Sequence, residues 1–173
     1  FEMEAPELAD KARLTIEKYR FVFLGTVRPD GSPRISPVEA HLVNGQLMLA
    51  LIPRTRKASD IQRDRRIALQ SPITDPGNPG RELKIFGRAS LQRSEQQQRT
   101  AADHIEEASG WRPETTWLFT AVEMSSVTVI EWEQGEMLLN RWTSKDGVLP
   151  AERRHLDMTK GAYLPAASDR DQA

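Results

Sequence analysis

The sequence predicts a mainly β protein, an antiparallel barrel with a few flanking helices. Short apolar runs rich in β-branched and aromatic residues recur along the chain, as in Phe21-Val22-Phe23-Leu24, and such runs are typical of strands. Tight-turn sequences join neighbouring runs, and Asn44-Gly45 is the strongest of them. Hairpins link antiparallel neighbours, whereas parallel strands need long crossovers. The pattern therefore favours an antiparallel barrel over a βαβ sheet.

The N-terminal part of the chain predicts one helix followed by a three-stranded meander. Leu8, Ala12, Ile16 and Tyr19 recur at helical spacing. An amphipathic helix is therefore expected within residues 1–19, packed on the barrel. The strands of the meander are expected over residues 20–27, 33–43 and 46–52.

The middle of the chain predicts two helices and two strands. The expected order is a short helix, a strand, a Pro/Gly-rich loop, a second strand and a surface helix: Lys57 to Asp64, Arg66 to Gln70, Pro72 to Gly80, Glu82 to Leu91 and Ser94 to Ala108. Proline fixes φ and lacks an N–H, so the loop is not expected to hold regular structure.

The C-terminal part predicts three further strands and a tail. The strands are expected at Thr116 to Met124, Ser126 to Trp132 and Glu136 to Trp142. Gln134-Gly135 fits a tight hairpin between the last two strands. Because the chain turns polar afterwards, residues 148–173 are expected to form a polar tail. We therefore expect one barrel domain over residues 20–147.

The charge balance and the missing residue types exclude several functions. Basic residues number 24 and acidic residues 25, so no bulk field favours nucleic acid or a membrane surface. The chain has no cysteine, and its three histidines lack metal-binding spacing. This excludes thiolate chemistry and disfavours a zinc site. No apolar run approaches the length of a membrane span. We therefore expect a cytoplasmic protein that binds neither nucleic acid, membrane nor metal.

The stretch Arg54-Thr55-Arg56-Lys57 is the main candidate for a binding site. It places three cations and a hydroxyl at the start of a predicted helix. Free N–H groups and the helix dipole favour an anion there, and arginine grips phosphate oxygens with two donors. A basic loop taken alone is more often solvated surface. Its position within the strand pattern is what favours a phosphate site.

An ordered set of motifs resembles the pyridoxamine 5'-phosphate oxidase-like flavin-binding split barrels. The turn Thr26-Val27-Arg28-Pro29-Asp30-Gly31-Ser32-Pro33 matches their opening hairpin. Arg56-Lys57-Ala58 matches the Arg-Lys pair that opens a helix, and Asp64-Arg65-Arg66-Ile67-Ala68-Leu69 matches the strand that follows. Gly87-Arg88-Ala89 matches the end of the fifth strand. The resemblance covers residues 20 to 92 well and the last strands in outline.

The resemblance implies an antiparallel split barrel of Greek-key type that forms a homodimer, with one FMN in each of two clefts at the subunit interface. Arg56 and Lys57 would hold the FMN phosphate, with Arg54 and Thr55 as helpers. Arg34 would reach the phosphate or the ribityl chain. The isoalloxazine ring would lie along the backbone of Arg34, Ile35, Ser36, Pro37 and Val38, whose N–H and C=O groups can pair with its pyrimidine edge.

Several positions depart from the pyridoxamine oxidase pattern. Glu82 stands where the oxidase has a glutamine that contacts FMN. A carboxylate there would accept from the flavin N3–H but oppose a reduced flavin anion. The C-terminal Arg-Leu-His substrate signature is missing, and Arg153-Arg154-His155 echoes it in composition only. Trp142 is the candidate for a wall of the flavin pocket, whereas Trp117 and Trp132 are expected to pack in the core or at the dimer interface. The substrate is therefore expected to differ from pyridoxamine phosphate.

We therefore expect an FMN-dependent oxidoreductase that acts on a small-molecule redox substrate. Hydride transfer is the flavin's own chemistry, so the sequence identifies no catalytic side chain. One alternative is a reductase that uses the deazaflavin coenzyme, which also carries a phosphate. Another is a non-catalytic flavin- or haem-binding protein, and a third is a dimer that serves only as an interaction module.

Haem would need an axial ligand from His41, His104 or His155. His41 lies among apolar neighbours, which favours a buried, hydrogen-bonded histidine over a proton-transfer role.

Overall fold

The computed structural model describes residues 1–73, 80–133, 135–157, 159–160 and 162–165, which form three helices and nine strands. The helices are α1 (Pro6–Tyr19), α2 (Arg56–Arg63) and α3 (Glu95–Ser109). The strands are β1 (Phe21–Val27), β2 (Pro33–Val43), β3 (Gln46–Leu51), β4 (Arg66–Gln70), β5 (Arg81–Leu91), β6 (Leu118–Glu133), β7 (Glu136–Thr143), β8 (Gly147–Asp157) and β9 (Ala162–Pro165). Parts of three predicted segments lie outside this description: residues 74–79 of the loop, residue 134 of the turn, and residues 158, 161 and 166–173 of the tail.

Six strands close an antiparallel barrel. Their hydrogen-bonded order is β3-β2-β1-β4-β5-β6, and β3 also pairs with β6, where Leu49 lies opposite Thr120. The first three strands form a meander, and the chain then passes through α2 to β4, which pairs with β1. A fourth strand that returns to lie beside the first is a Greek-key connection. The predicted antiparallel barrel of Greek-key type is confirmed.

The barrel encloses the main core because its strands alternate between inward apolar and outward side chains. Leu24, Leu49 and Val129 point inward and are fully buried. Ala58 and Ile61 of α2 belong to the same cluster. The helix that begins within the basic stretch of residues 54–57 therefore packs against the barrel core. Burying each of the leucine, isoleucine and valine side chains among them contributes about 1.5–3 kcal/mol.

The other two helices lie against the barrel wall. α1 buries its apolar stripe, Leu8, Ala12 and Ile16, in the main core. α3 forms a second core with outward residues of the barrel strands: Val43, Met48, Ala50, Phe119 and Ala121 pack against Ala101, Ala102 and Ile105. Ser94 begins α3 with a capping box, in which its hydroxyl accepts from the Gln97 N–H. The start of this helix is therefore fixed by its own sequence.

β6 is one long strand where two strands were predicted. It pairs with β5 along its length, but the register shifts so that Phe86 faces Ser126 while Gly87 faces Met124. Ser125 is therefore the extra residue of a β-bulge. A bulge lets a strand bend around a barrel without ending. The polar residues Ser125 and Ser126 therefore do not mark a turn between two strands.

The sheet continues beyond the barrel, where a polar tail was predicted. β7 pairs with β6, β8 with β7, and β9 with β8. Glu152 of β8 accepts from Arg141 of β7 at 3.0 Å and from Arg154 at 2.6 Å. Ladder hydrogen bonds and ion pairs rather than an apolar face hold this strand. Residues 147–157 thus form a strand, contrary to the prediction, and hydropathy alone could not reveal it. Within the described residues, no helix is long and apolar enough to cross a membrane.

Candidate functional site

The predicted phosphate-binding stretch lies at the start of α2. Arg54 adopts φ of +63°, which is uncommon for arginine, and Thr55 is the N-cap residue. The Thr55 hydroxyl does not cap the helix; it donates to the carbonyl of Ile52 at 2.8 Å. The first N–H groups of α2 are therefore left for another acceptor. Within the described part of the chain, Arg54, Arg56 and Lys57 have no ion-pair partner, so three cations at this helix start are free to bind an anion.

A buried carboxylate on α2, Asp60, fixes the predicted cofactor contact Arg34. Asp60 accepts from Arg34 Nε at 2.7 Å and from Thr26 Oγ1 at 3.0 Å, and Arg63 lies at 3.4 Å. Burial alone would raise the pKa of Asp60. The hydrogen bonds from Arg34 and Thr26 outweigh it and hold the pKa below its usual value. Asp60 therefore stays an anion and orients the Arg34 guanidinium beside α2.

The sequence offered little sign of this contact. Asp60 lies 26 residues from Arg34, and the only hint is that it neighbours the apolar Ile61 on the inner side of α2. The two terminal nitrogens of Arg34 form no hydrogen bond among the described residues. Arg34 therefore keeps two donors for a ligand while its Nε is held.

The β2 residues predicted to line the flavin ring are divided between the two faces of the strand. Ser36 lies opposite the core residue Leu24, and Val38 is buried on the same inward face. Ile35 and Pro37 point outward, and Ile35 is 73% exposed. Side chains alternate in a strand, so no single face could present all of them. Only the backbone of β2 is common to both faces of the strand.

A cavity of about 200 Å³ brings part of β2 together with α2. Pro37 and Val38 line it from β2, Lys57 from the first turn of α2, and Trp111 and Trp117 from the segment between α3 and β6. We call it the Lys57 cavity. Three of the predicted site residues thus meet at one place, while Arg34, Arg54 and Arg56 lie outside its wall.

Two tryptophans form a wall of the Lys57 cavity. The ring centroids of Trp111 and Trp117 are 5.0 Å apart, with the ring planes at 59°. Trp117 also packs against the α3 core, in keeping with the packing role predicted for it. Trp111 follows Gly110, the left-handed C-cap of α3. This helix stop is the one sequence signal that could have placed an indole back over β2.

Glu82 does not line the Lys57 cavity. Its carboxylate is buried on β5, where it accepts from Gln70 Nε2 at 2.9 Å and pairs with Lys84 at 3.0 Å. The buried charge is therefore matched by two donors of its own sheet. The predicted cofactor contact is not formed within this chain's cavity.

Trp142 lies in the barrel core. It is 4% exposed, its ring centroid is 5.1 Å from that of Phe1, and its Nε1 donates to Glu4 Oε2 at 2.9 Å. The register of β6 and β7 places it opposite the fully buried Val127, which explains its inward direction. Trp142 does not line the Lys57 cavity, and its role as a wall of the flavin pocket stays a prediction.

His41 lines a second cavity, of about 470 Å³, which we call the His41 cavity. The His41 side chain is 9% exposed, and its Nε2 forms no hydrogen bond among the described residues, although Glu39 Oε2 lies 3.4 Å away. The predicted burial is therefore present without the predicted hydrogen bond. Burial lowers the pKa of His41 more than Glu39 raises it. The ring is therefore neutral at pH 7.

Three large apolar side chains are exposed on the outer face of the barrel. Phe23, Ile35 and Phe86 are between 40% and 73% exposed. The registers of β1, β2, β4 and β5 place them on one face, with the small residues Gly25 and Ala68 between Ile35 and Phe86. We call this surface the outer apolar face. Phe23 lies opposite Pro37, so the face borders the Lys57 cavity. Contiguous exposed apolar patches of this kind are typical of interaction surfaces.

The described ranges hold no group of three or more His, Cys, Asp or Glu side chains arranged to bind a metal ion. The helix start beside the Lys57 cavity carries three cations, Arg54, Arg56 and Lys57, and the cavity wall also contains one carboxylate, Glu39. The helix start therefore suits an anionic or phosphate-bearing ligand.

A comparison with sequence models of families finds a match over most of the barrel. The family described as pyridoxamine 5'-phosphate oxidase matches residues 8–135, from α1 to the end of β6 and the turn that follows. This range contains α2, the Lys57 cavity and the outer apolar face. A search among curated proteins found no match.

Several solved structures share the fold. A heme binding protein from Mycobacterium smegmatis is 15% identical, with a TM-score of 0.63 over 80% of this chain and 58% of that chain. Campylobacter jejuni ChuZ is 9% identical, with a TM-score of 0.67 over 83% of this chain and 62% of that chain. A Clostridium acetobutylicum protein related to general stress protein 26, of the pyridoxinephosphate oxidase family, is 12% identical, with a TM-score of 0.60 over 81% of this chain and 96% of that chain. At these identities the likeness shows the fold alone, and the chain spans less than two thirds of the first two proteins.

Proposed function

The chain belongs to the pyridoxamine 5'-phosphate oxidase family, and from this premise we propose that it is an FMN-dependent oxidoreductase acting on a small-molecule substrate other than pyridoxamine phosphate. The observation that carries the proposal is the Lys57 cavity. Its wall joins Lys57, from an uncapped helix start with three unpaired cations, to a β-strand and two indole rings. A phosphate at one end and a flat ring at the other fit this arrangement.

At the phosphate end, the chain supplies charge and directed donors. Arg56 and Lys57 would contact the phosphate together with the free N–H groups of the first turn of α2, and Arg54 and Thr55 lie next to them. Arg34 would add two donors from the side because Asp60 already holds its Nε. Each charge-assisted hydrogen bond contributes about 1.5–3 kcal/mol.

At the ring end, the chain supplies an apolar wall and a backbone acceptor. Trp111 and Trp117 would exclude water from one side of the isoalloxazine, and the β2 backbone at Pro37 and Val38 would run along it. Proline has no N–H, and the β1–β2 register turns the Val38 N–H towards β1, so this place offers the Pro37 carbonyl as an acceptor. The bound flavin would supply the hydride chemistry. These residues would bind and aim the ring.

The Lys57 cavity is too small for the whole cofactor in one protomer. Its volume is about 200 Å³, whereas sites for ligands of this size occupy about 300–1,000 Å³. The outer apolar face borders the cavity and would be the surface on which a second copy of this chain docks. We therefore include a homodimer in the proposal, with each cofactor cleft completed by the partner subunit.

The test is an FMN titration of the purified protein, followed by absorbance and by quenching of flavin fluorescence. The variant Arg56→Glu/Lys57→Glu reverses two charges at the helix start. Its matched control, Arg93→Glu/Lys145→Glu, reverses two exposed cations that have no ion-pair partner among the described residues and line no described cavity. We expect the first variant to bind FMN about 100-fold more weakly and the control to bind like wild type.

Three outcomes would overturn parts of the proposal. Equal losses in the variant and in its control would contradict the phosphate site. Binding of the deazaflavin coenzyme but not of FMN would keep the site and change the cofactor. If neither flavin binds and haem produces a Soret band that a His→Ala variant removes, the haem-binding alternative would replace the oxidoreductase.

A further inference from the structure

The His41 cavity and the Lys57 cavity are neighbours. The His41 cavity lies where the C-terminal ends of α1 and α3 meet β2, and Glu39 and Trp111 line both cavities. A molecule bound in the larger cavity would therefore lie beside a ring held in the smaller one. The volume of the His41 cavity, about 470 Å³, is in the usual range for small-molecule sites.

Aromatic rings form much of the wall of the His41 cavity. Tyr19 contributes from the end of α1, Phe21 from β1 and Trp111 from the segment after α3. Phe21 also packs edge to face on Phe23, with ring centroids 6.1 Å apart, which connects this wall to the outer apolar face. Ring faces stack on flat ligands and attract cations.

The charges around the His41 cavity favour a cation. Glu17 and Glu39 line it against one guanidinium, Arg20, and the Lys18 ammonium lies 4.9 Å from the centroid of the Tyr19 ring. Glu17 shares its charge with Arg13 at 3.2 Å, so Glu39 is the carboxylate without an arginine or lysine partner among the described residues. The helices α1 and α3 both end here, and a helix C-terminus carries partial negative charge. Neutral His41 adds no positive charge to oppose this.

We propose that the His41 cavity is the substrate site of this protein and that it takes a small aromatic molecule with a positive charge, such as a protonated aromatic amine or a pyridinium ring. The inference rests on the proposed function for its redox role, because the substrate must lie next to the flavin. The cation would sit between the Glu39 carboxylate and the face of Trp111, at the border with the Lys57 cavity. The same charges disfavour phosphate esters and carboxylates.

The test compares three probes of nearly equal shape and different charge: 1-methylnicotinamide as the cation, nicotinamide as the neutral form and nicotinate as the anion. Their dissociation constants are measured by calorimetry on the FMN-loaded protein and on the FMN-free protein. We expect the cation to bind about fivefold more tightly than the neutral probe, and the anion to bind most weakly.

Two variants locate the effect. Glu39→Gln removes one charge and keeps the shape, so the ratio of cation to neutral affinity should fall towards one. Its control, Glu123→Gln, removes an exposed carboxylate that lines neither cavity, and the ratio should be unchanged. Tyr19→Leu, which lies outside the Lys57 cavity, should weaken the cation while the FMN affinity stays at the wild-type value.

The two proposals fail in different ways. If FMN binds but the three probes show equal affinities, or if Glu39→Gln keeps the preference for the cation, the ligand class is wrong and the flavin site stands. A preference lost equally in Glu123→Gln would show a bulk charge effect and also overturn the inference. If FMN does not bind but the cation preference and its dependence on Glu39 are present, the binding site is supported and its redox role is overturned.

Discussion

Asp60 is the residue through which α2 and β2 are held together at the candidate site. Its carboxylate accepts from Thr26 and Arg34 and lies near Arg63 while almost fully buried. We expect Asp60→Asn to lower the free energy of unfolding by about 2 kcal/mol, because Arg34 would lose its charge partner. Urea denaturation measures this. The control Asp64→Asn breaks a more exposed pair with Arg66, and it should lower the free energy of unfolding much less than Asp60→Asn does.

The Asp60 contribution depends on pH in a defined direction. Because the pKa of Asp60 is lower in the folded protein than in the unfolded chain, its stabilisation is fully present above the unfolded pKa. The stabilisation is lost as the pH falls through the folded pKa. The difference in unfolding free energy between wild type and Asp60→Asn should therefore shrink in acid. A difference that stays constant from neutral to acid pH would contradict an ionised Asp60.

At the scale of single residues, the sequence indicated contacts made by local pattern and missed those made across the fold. The cations of residues 54–57 were predictable because they adjoin a helix start, and Lys57 does line the cavity. Asp60 and Trp111 gain their positions from strands distant in sequence, so no local spacing identifies them. Trp142 faces inward because the pairing of β7 with β6 sets its direction, which hydrophobicity alone does not reveal.

The backbone of β6 lies close against β5 at Gly87. A Cβ atom at this position would lie 2.1 Å from the carbonyl oxygen of Glu123, a backbone atom that cannot turn aside. We expect Gly87→Ala to lower the free energy of unfolding by about 2–3 kcal/mol. The control is Gly25→Ala in β1, where the nearest atoms, in Ala68, are at 3.5 Å; its effect should stay within about 1 kcal/mol. Thermal and urea unfolding measure both, and equal effects would show that the close approach is unimportant.

At the scale of elements, the strands with an apolar face were predictable and the polar ones were not. The spans of β4 and of the β2–β3 hairpin follow from alternation and from the Asn44-Gly45 turn. The bulge at Ser125 looked like a strand end because a bulge and a turn share polar residues. β8 is held by ion pairs such as Arg141–Glu152, a kind of stabilisation that leaves no hydrophobic pattern in the sequence.

For the molecule as a whole, the outer apolar face should decide the oligomeric state. We expect Phe23→Glu to convert the proposed dimer to a monomer and to weaken FMN binding, because a buried carboxylate at an interface has no partner to offset its desolvation. Light scattering after size-exclusion chromatography measures the mass. The control Val148→Glu alters an exposed valine on β8, away from this face. A dimer that survives Phe23→Glu would place the interface elsewhere.

The closure of the barrel was foreseeable only through the family resemblance. Alternation and turns indicate which neighbouring strands pair, but β3 pairs with β6 across α2, β4, β5 and α3. Contacts between segments so distant in sequence leave no periodic signal. The motifs of the opening hairpin and of the α2 start identified the family, and the family supplied the closure.

The pairing of β3 with β6 also sets the order in which this protein can assemble. Met48 has no strand partner on its outer side until Ala121 has been synthesised, and until then β3 and β5 both present open edges to other chains. The α3 core contains residues of both strands, Met48 and Ala121 among them. The helix can therefore dock fully only when β3 has paired with β6. Closure and docking are thus one late, long-range event, and a nascent chain that stalls before β6 would be the form most exposed to aggregation.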